Sequence, residues 1–175
     1  MTVRNLPALL APRSIAVLGA SNRRDSVGGV LFRNLLLGEY DGVVHPVNPK
    51  YESVQGVRAY GSVLELEAAP DLGVVCTPPA TVPGIISELA SVGARAAVVI
   101  TAGLSGEAER EVLKTARSAG LRILGPNCVG FLAPGAGLNC SFAHTDALPG
   151  HLAFLSQSGG LTTAVLDWAR SRDIG

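Results

Sequence analysis

Ser14-Ile-Ala-Val-Leu18 runs straight into Gly19-Ala-Ser-Asn-Arg-Arg-Asp-Ser-Val-Gly28-Gly29, and that loop runs into Val30, Leu31 and Leu35. The first five residues are a short, nearly unbroken apolar run, as in a strand buried on both faces. The last part places Val27, Leu31 and Leu35 at i, i+4 and i+8, with Arg33, Asn34 and Glu39 on the other side, so it reads as an amphipathic helix. A strand, a glycine-bearing loop and a helix in that order open an α/β unit.

The same alternation continues along the chain. Val43–Val47, Leu72–Cys76, Ala96–Ile100 and Leu121–Leu124 are further apolar runs of strand length. Pro83 stands in the first turn of a helix carrying Ile86, Leu89 and Ala90, which Gly93 can stop. Ser105 can cap another helix, with Glu107 and Glu109 in its first turn, Val112, Leu113 and Ala116 inside, and Gly120 after its end. Five strands alternating with four helices predict a doubly wound parallel sheet with right-handed crossovers, ending near Ala147. A new unit then begins. His151-Leu-Ala-Phe-Leu155 reads as a strand, Ser156-Gln-Ser-Gly-Gly160 as a turn, and Leu161–Arg170 as a helix. One strand and one helix cannot bury a core of their own, so residues 148–175 read as the start of a second, truncated α/β domain after a first domain of residues 1–147. The other reading is an edge βα unit packed on the first sheet.

Composition narrows the function. Over 175 residues, 14 Lys and Arg balance 14 Asp and Glu, and aromatics make up only 5%. A neutral chain with few aromatics has neither the basic footprint nor the stacking platforms of a nucleic-acid binder. No apolar run approaches the ~20 residues of a membrane span, and Pro7, Pro12 and Arg13 interrupt any signal-peptide core around Leu6–Leu10. Cys76, Cys128 and Cys140 are far apart and form no C-x-x-C pair, so no structural zinc or other metal site is expected. They read as reduced thiols of a cytoplasmic protein.

In an open α/β sheet the ligand lies at the carboxyl ends of the strands. The loop Gly19–Gly29 leads to a helix N-terminus whose free N–H groups suit a phosphate, and Gly19, Ala20, Ser21, Ser26 and Gly28 let the backbone come close. It is neither G-x-G-x-x-G nor a P-loop, since Ser21 and Arg24 stand where glycines would and no G-K-[ST] follows. The second strand runs out through His45-Pro-Val-Asn-Pro-Lys50 without the acid that holds the ribose of NAD, and Lys50 suits a phosphorylated ribose, as in NADP or at the 3′ position of coenzyme A. Thr77-Pro78-Pro79 makes a rigid extended wall, and Ile100-Thr101-Ala-Gly103 ends in small residues. A thin flexible arm fits such a groove better than a flat nicotinamide.

Pro12–Ser21, Pro46–Lys50, Cys76–Pro79, Val99–Gly103, Leu124–Cys128 and Phe154–Gly159 together carry a resemblance that covers essentially the whole chain. The chain resembles the N-terminal CoA-binding domain of the NDP-forming acyl-CoA synthetases, which are similar to the succinyl-CoA synthetase α subunit. The same front end occurs fused to an acetyltransferase domain in protein lysine acetyltransferases, where it acts as a sensor or regulator. The resemblance implies a Rossmann-like first domain and a flavodoxin-like second one. It implies CoA or acyl-CoA as ligand, with the diphosphate near Ser21 and the Ser26-Val27-Gly28 turn, and Lys50 facing the nucleotide phosphate. Thr77, Pro78, Pro79, Ile100 and Thr101 would line the path of adenine or pantetheine, while Asn127, Cys128, Ser156, Ser158, Gly159 and Gly160 would face the reaction. The family reaction passes through acyl phosphate and a phosphohistidine, but none of His45, His144 or His151 matches that histidine. The implied partners are therefore the ligase and nucleotide-grasp domains of a parent protein, the latter holding NDP and Mg; homo-oligomerisation is left open.

The residues themselves favour Cys128 as a buried small hydrophobe over a nucleophile, since no His or cation is evident beside it. Ser156–Gly160 partly mimics the G-x-S-x-G elbow of a serine hydrolase, but the first Gly is missing and no His follows Ser158. The expectation is a CoA-binding module of an acyl-CoA synthetase that does not complete the reaction alone, with the acetyltransferase fusion and an NADP oxidoreductase as alternatives.

Overall fold

The computed structural model describes residues 3–175. Its elements are, in chain order, helix α1 (Leu6–Leu10), strand β1 (Ser14–Leu18), helix α2 (Val27–Leu37), β2 (Val43–Val47), β3 (Ser53–Val54), β4 (Val57–Arg58), β5 (Leu72–Val75), α3 (Val82–Val92), β6 (Ala96–Val99), α4 (Gly106–Ala119), β7 (Arg122–Leu124), β8 (Gly130–Ala133), β9 (Leu138–Ser141) and α5 (Gly159–Arg170). Five strands form one parallel sheet in the order β2-β1-β5-β6-β7. The expected Rossmann-like doubly wound sheet is therefore present. The chain leaves β1 in one direction to form β2 and returns to its other side to form β5. The order reverses between β1 and β5, which is where such sheets open a binding crevice.

The central strands are buried on both faces, and their side chains divide by parity. Ile15, Val17, Leu72, Val74, Ala96 and Val98 join Leu31, Phe32 and Leu35 of α2 in one core layer. Ala16, Leu18, Val75, Ala97 and Val99 join Ile86 and Leu89 of α3 and Val112 and Ala116 of α4 in the other. This alternation is the period-2 geometry of a strand, with each face covered by its own helices. The cap at Ser105 and the stops at Gly93 and Gly120 are those the sequence suggests, and Ser26 proves to be a further cap. Ser26 Oγ accepts the Gly29 N–H at 3.1 Å and Ser105 Oγ accepts the Ala108 N–H at 3.4 Å. Gly93 and Gly120 end α3 and α4 in the left-handed region, at φ 87° and 68°.

Two expectations are corrected. No helix lies between β2 and β5. The β3–β4 hairpin and a 3-10 turn at Val63–Glu65 take its place, so three helices, not four, link the five parallel strands. The stretch 151–155 is not a strand. It joins none of the sheets, and Leu152, Phe154 and Leu155 are exposed. The helix that follows is present as α5 but buries no residue fully. It is tied to the loop after β9 by His144 Nε2 against Asp167 Oδ1 at 2.7 Å and by Arg170 donating to the Asp146 carbonyl at 3.3 Å. No helix of the described residues is long and apolar enough to cross a membrane.

Candidate functional site

At the carboxyl edge of the sheet, the β1–α2 loop is held by polar contacts that the sequence does not announce. Gln55, at the tip of the β3–β4 hairpin and in the left-handed region at φ 50°, donates its amide to the Gly29 carbonyl at 2.8 Å and the Ser21 carbonyl at 3.3 Å. Asn48 donates to the Ala20 carbonyl at 2.8 Å, and Asn22 donates to the Ser53 carbonyl at 2.9 Å. The hairpin that replaces the expected helix thus braces the loop. Within the loop Gly19 stands at φ 92°, and a Cβ at Gly28 would be driven into the Gly19 carbonyl oxygen. The close approach of α2 to the strand end therefore requires glycine at position 28. Ser21 is buried, and its Oγ accepts the Arg23 N–H at 3.1 Å. Ser26 Oγ also donates to the Arg23 carbonyl at 2.8 Å, so this hydroxyl shapes the loop rather than projecting from it.

From this loop a cleft of about 760 Å³ runs along the sheet edge. Val27 of α2, Cys76–Pro79 after β5, Ile100–Ala102 after β6 and Asn127–Val129 after β7 line one length of it. Phe142, Gln157, Gly159, Gly160 and Thr163 close the other side. Of the candidates from sequence, Val27, Thr77, Pro78, Pro79, Ile100, Thr101, Asn127, Cys128, Gly159 and Gly160 come together here. Gly19, Ala20, Ser21, Ser26 and Gly28 form the loop at its β1 end rather than its walls. Ser156 and Ser158 stand in the turn before α5, where Ser158 Oγ accepts the Leu161 N–H at 3.3 Å as the helix cap. Lys50 lies outside the cleft lining. It is exposed at the end of β2, with its backbone N–H on Asn48 Oδ1 at 3.0 Å. Phe142, just after β9, and Thr163 of α5 escape a reading by motif, because tertiary packing alone brings them to the cleft, whereas Val129 and Gln157 are neighbours of predicted residues that the motif reading passed over.

The wall is mostly apolar, with hydroxyls and carboxamides at intervals. Thr101 Oγ1 donates to the Thr77 carbonyl at 2.7 Å, tying the ends of β5 and β6 together. Asn127 sits in the left-handed region at φ 55°, its backbone N–H on the Thr101 carbonyl at 3.0 Å. The thiols are quiet. Burial pushes Cys76 up to about 12, with a smaller push from Cys128. Burial raises Cys128 as well, against two backbone N–H groups that lower it, and raises Cys140 well above the ordinary thiol value. Such groups stay protonated at neutral pH, so the bland reading of Cys128 fits its surroundings better than the nucleophile.

This geometry defines a Rossmann-like domain with a ligand cleft at its topological switch point. The profile of the CoA binding domain family matches residues 13–134, and the chain belongs to that family. It is 42% identical over 171 residues to the acetate–CoA ligase [ADP-forming] II subunit alpha of Pyrococcus furiosus, covering 94% of this chain and 37% of that protein. It is 37% identical over 168 residues to the acetate–CoA ligase [ADP-forming] of Methanocaldococcus jannaschii, covering 94% of this chain and 24% of the relative. Among solved structures, the dinucleotide-forming acetyl-coenzyme A synthetase 1 of Ca. Korarchaeum cryptofilum in complex with phosphate and ADP superposes with a TM-score of 0.93 at 37% identity. That match covers 97% of this chain and 38% of the other. The chain thus spans well under half the length of these relatives.

The residues present fit a CoA ligand. The first turn of α2 carries no acidic side chain and its first residue, Val27, lines the cleft, so a helix N-terminus of the kind that suits a diphosphate stands beside it. The long, mostly apolar groove suits a pantetheine arm, and Lys50 is exposed at the end of β2, in no ion pair among the described residues.

Proposed function

We propose that this chain is the CoA- and acyl-CoA-binding module of an NDP-forming acyl-CoA synthetase of the acetate–CoA ligase type. The observation that carries the reading is one continuous cleft leading from an anion-ready helix start to an apolar groove, in a domain of the CoA-binding family. The α2 N-terminus and the Gly19–Gly28 turn hold the diphosphate, Lys50 takes the 3′-phosphate, and Thr77–Pro79 with Ile100 and Thr101 guide the pantetheine arm. Residues 148–175 belong to the start of a second domain, a reading supported by the exposed Leu152, Phe154, Leu155 and Trp168. Asn127, Cys128 and the Ser156–Gly160 turn face the place where that domain's chemistry occurs. The phosphorylated histidine and the NDP and Mg sites lie on other domains of the parent enzyme.

Calorimetry with CoA, acetyl-CoA, dephospho-CoA, NADP and NAD tests this reading. CoA and acetyl-CoA are expected to bind and the nicotinamide nucleotides not to; tighter binding of NADP than of CoA would overturn it. CoA is expected to bind several-fold better than dephospho-CoA, since an exposed charged contact contributes on the order of 1 kcal/mol. Lys50→Ala should erase most of that difference, and equal affinity of the wild type for both ligands would remove Lys50 from the site. The isolated chain is further expected to form no acyl-CoA from acid, CoA and ATP and to take up no phosphate from ATP. Phosphohistidine at His45, His144 or His151 would contradict the assignment of that step to another domain.

A further inference from the structure

The cleft changes character along the strand order. Lys50 stands outside the lining, at the end of β2, and Val27 at the start of α2 is the first lining residue on the β1 side. Past β5 and β6 the wall is Pro78, Pro79 and Ile100, and beyond β7 it carries Val129 and Phe142. A ligand with phosphates at one end and a thiol arm at the other has one favourable direction in such a gradient. Its phosphates lie toward β2 and β1, its neutral arm crosses the ends of β5 and β6, and its thiol arrives at β7.

The end toward which the thiol would point carries two apolar side chains, Val129 and Phe142, beside Gln157 and Thr163. Phe142 follows the last residue of β9, between the buried Ser141 and Ala143, yet it is itself 36% exposed. It lines the cleft and belongs to neither core cluster. An aromatic ring left out of the core at the mouth of a ligand groove is available to the ligand. The Phe142 N–H donates to the Val129 carbonyl at 3.3 Å, which fixes the two walls relative to each other. Val129 is backed in turn by α5: a Cβ added at Gly159 would lie 2.7 Å from Val129 Cγ2. Val129 is thus held from behind, and the partly exposed Phe142 ring stands beside it in the groove.

We propose that Phe142 and Val129 form the acyl-selecting end of the cleft, so that the chain accepts CoA thioesters of short aliphatic acids and discriminates against those of aromatic acids. The proposal rests on the CoA reading above and deepens it. A methyl group on the thioester fits against the two side chains, whereas an aromatic ring needs the space that Phe142 fills.

Calorimetry on the full chain with CoA, acetyl-CoA and benzoyl-CoA separates the two levels. The wild type is expected to bind acetyl-CoA about as well as CoA and benzoyl-CoA about tenfold more weakly or worse, the scale on which a pocket rejects a group it cannot hold. Phe142→Ala should narrow the CoA to benzoyl-CoA ratio to about threefold or less, with the milder Phe142→Leu in between. Thermal melts establish that both variants are folded. Equal binding of benzoyl-CoA and CoA by the wild type would overturn the acyl-selecting end and leave the CoA reading standing. So would a Phe142→Leu variant that is folded and keeps the wild-type ratio. Failure of the wild type to bind any of the three would overturn both.

Discussion

Gly28→Ala is expected to abolish detectable CoA binding and to destabilise the fold by about 2–3 kcal/mol, the range for forcing extra volume into a packed site. The added Cβ meets the Gly19 carbonyl oxygen, a backbone atom, and no rotamer change can relieve that collision. Gly19 is itself pinned, because its N–H bonds the Val47 carbonyl at 2.9 Å and an added Cβ there would press on the Cys76 carbonyl. To make room, α2 must slide away from the end of β1. That movement withdraws the helix N-terminus from the cleft and disturbs the packing of Leu31, Phe32 and Leu35, all fully or almost fully buried. Gly84→Ala is the matched control. It lies inside α3 with nothing near its Cβ position, so it should stabilise by roughly 0.5–1 kcal/mol through helix propensity and leave CoA binding unchanged. Thermal denaturation with calorimetry reads both. A Gly28→Ala protein that melts with the wild type and binds CoA normally would show that the helix start does not hold the ligand.

The contrast between Gly28 and Gly84 also shows how far the sequence could be read. The parallel sheet is legible because its strands are buried on both faces, so Ile15–Leu18 and Ala96–Val99 read as unbroken apolar runs with glycine or serine punctuation nearby. Local capping is legible too, since Ser105, Gly93 and Gly120 act within a few residues of themselves. The segment between β2 and β5 is not. Its role depends on Gln55 and Asn48 reaching the β1–α2 loop, and no local pattern encodes a hydrogen bond across 26 or 28 residues. The stretch 151–155 fails for a related reason: it has strand-like residues, but a strand exists only where another edge offers its N–H and C=O groups. Most of the candidate cleft follows from strand-end logic, as with Thr77, Ile100 and Asn127. The rest, Phe142 and Thr163 among it, is set by packing between elements far apart in sequence.

Asp71 belongs to the same class of long-range feature, and it carries the second large effect. It stands just before β5, almost fully buried, and accepts the Arg13 backbone N–H at 2.8 Å while its own N–H donates to Ser14 Oγ at 3.0 Å. Its carboxylate also pairs with the Arg95 guanidinium, and Arg13 Nε lies 3.7 Å away. Burial alone would raise its pKa, but the Arg13 N–H, the Arg95 side chain and the charges of Arg95 and Arg13 together hold it below the ordinary carboxylate value. Asp71→Ala is expected to destabilise the fold by about 2 kcal/mol, because it leaves the Arg13 N–H without its acceptor at the entrance to β1. Arg95 is half exposed, so the ion pair itself adds little to that figure. A depressed folded-state pKa means that this stabilisation is fully present above the unfolded carboxylate value, near 3.9, and is lost as pH falls through the lower folded value. The wild type should therefore lose stability on acidification below about pH 4, in addition to the loss common to its other carboxylates. Asp71→Asn keeps an oxygen for the Arg13 N–H but has no charge to titrate, so it should be less stable than wild type at pH 7 and close that gap as the pH falls. Denaturant melts of the three proteins between pH 2.5 and 7 measure this. A gap between wild type and Asp71→Asn that stays constant over the whole range would mean that Asp71 is held by hydrogen bonding alone and that its charge does nothing for the fold.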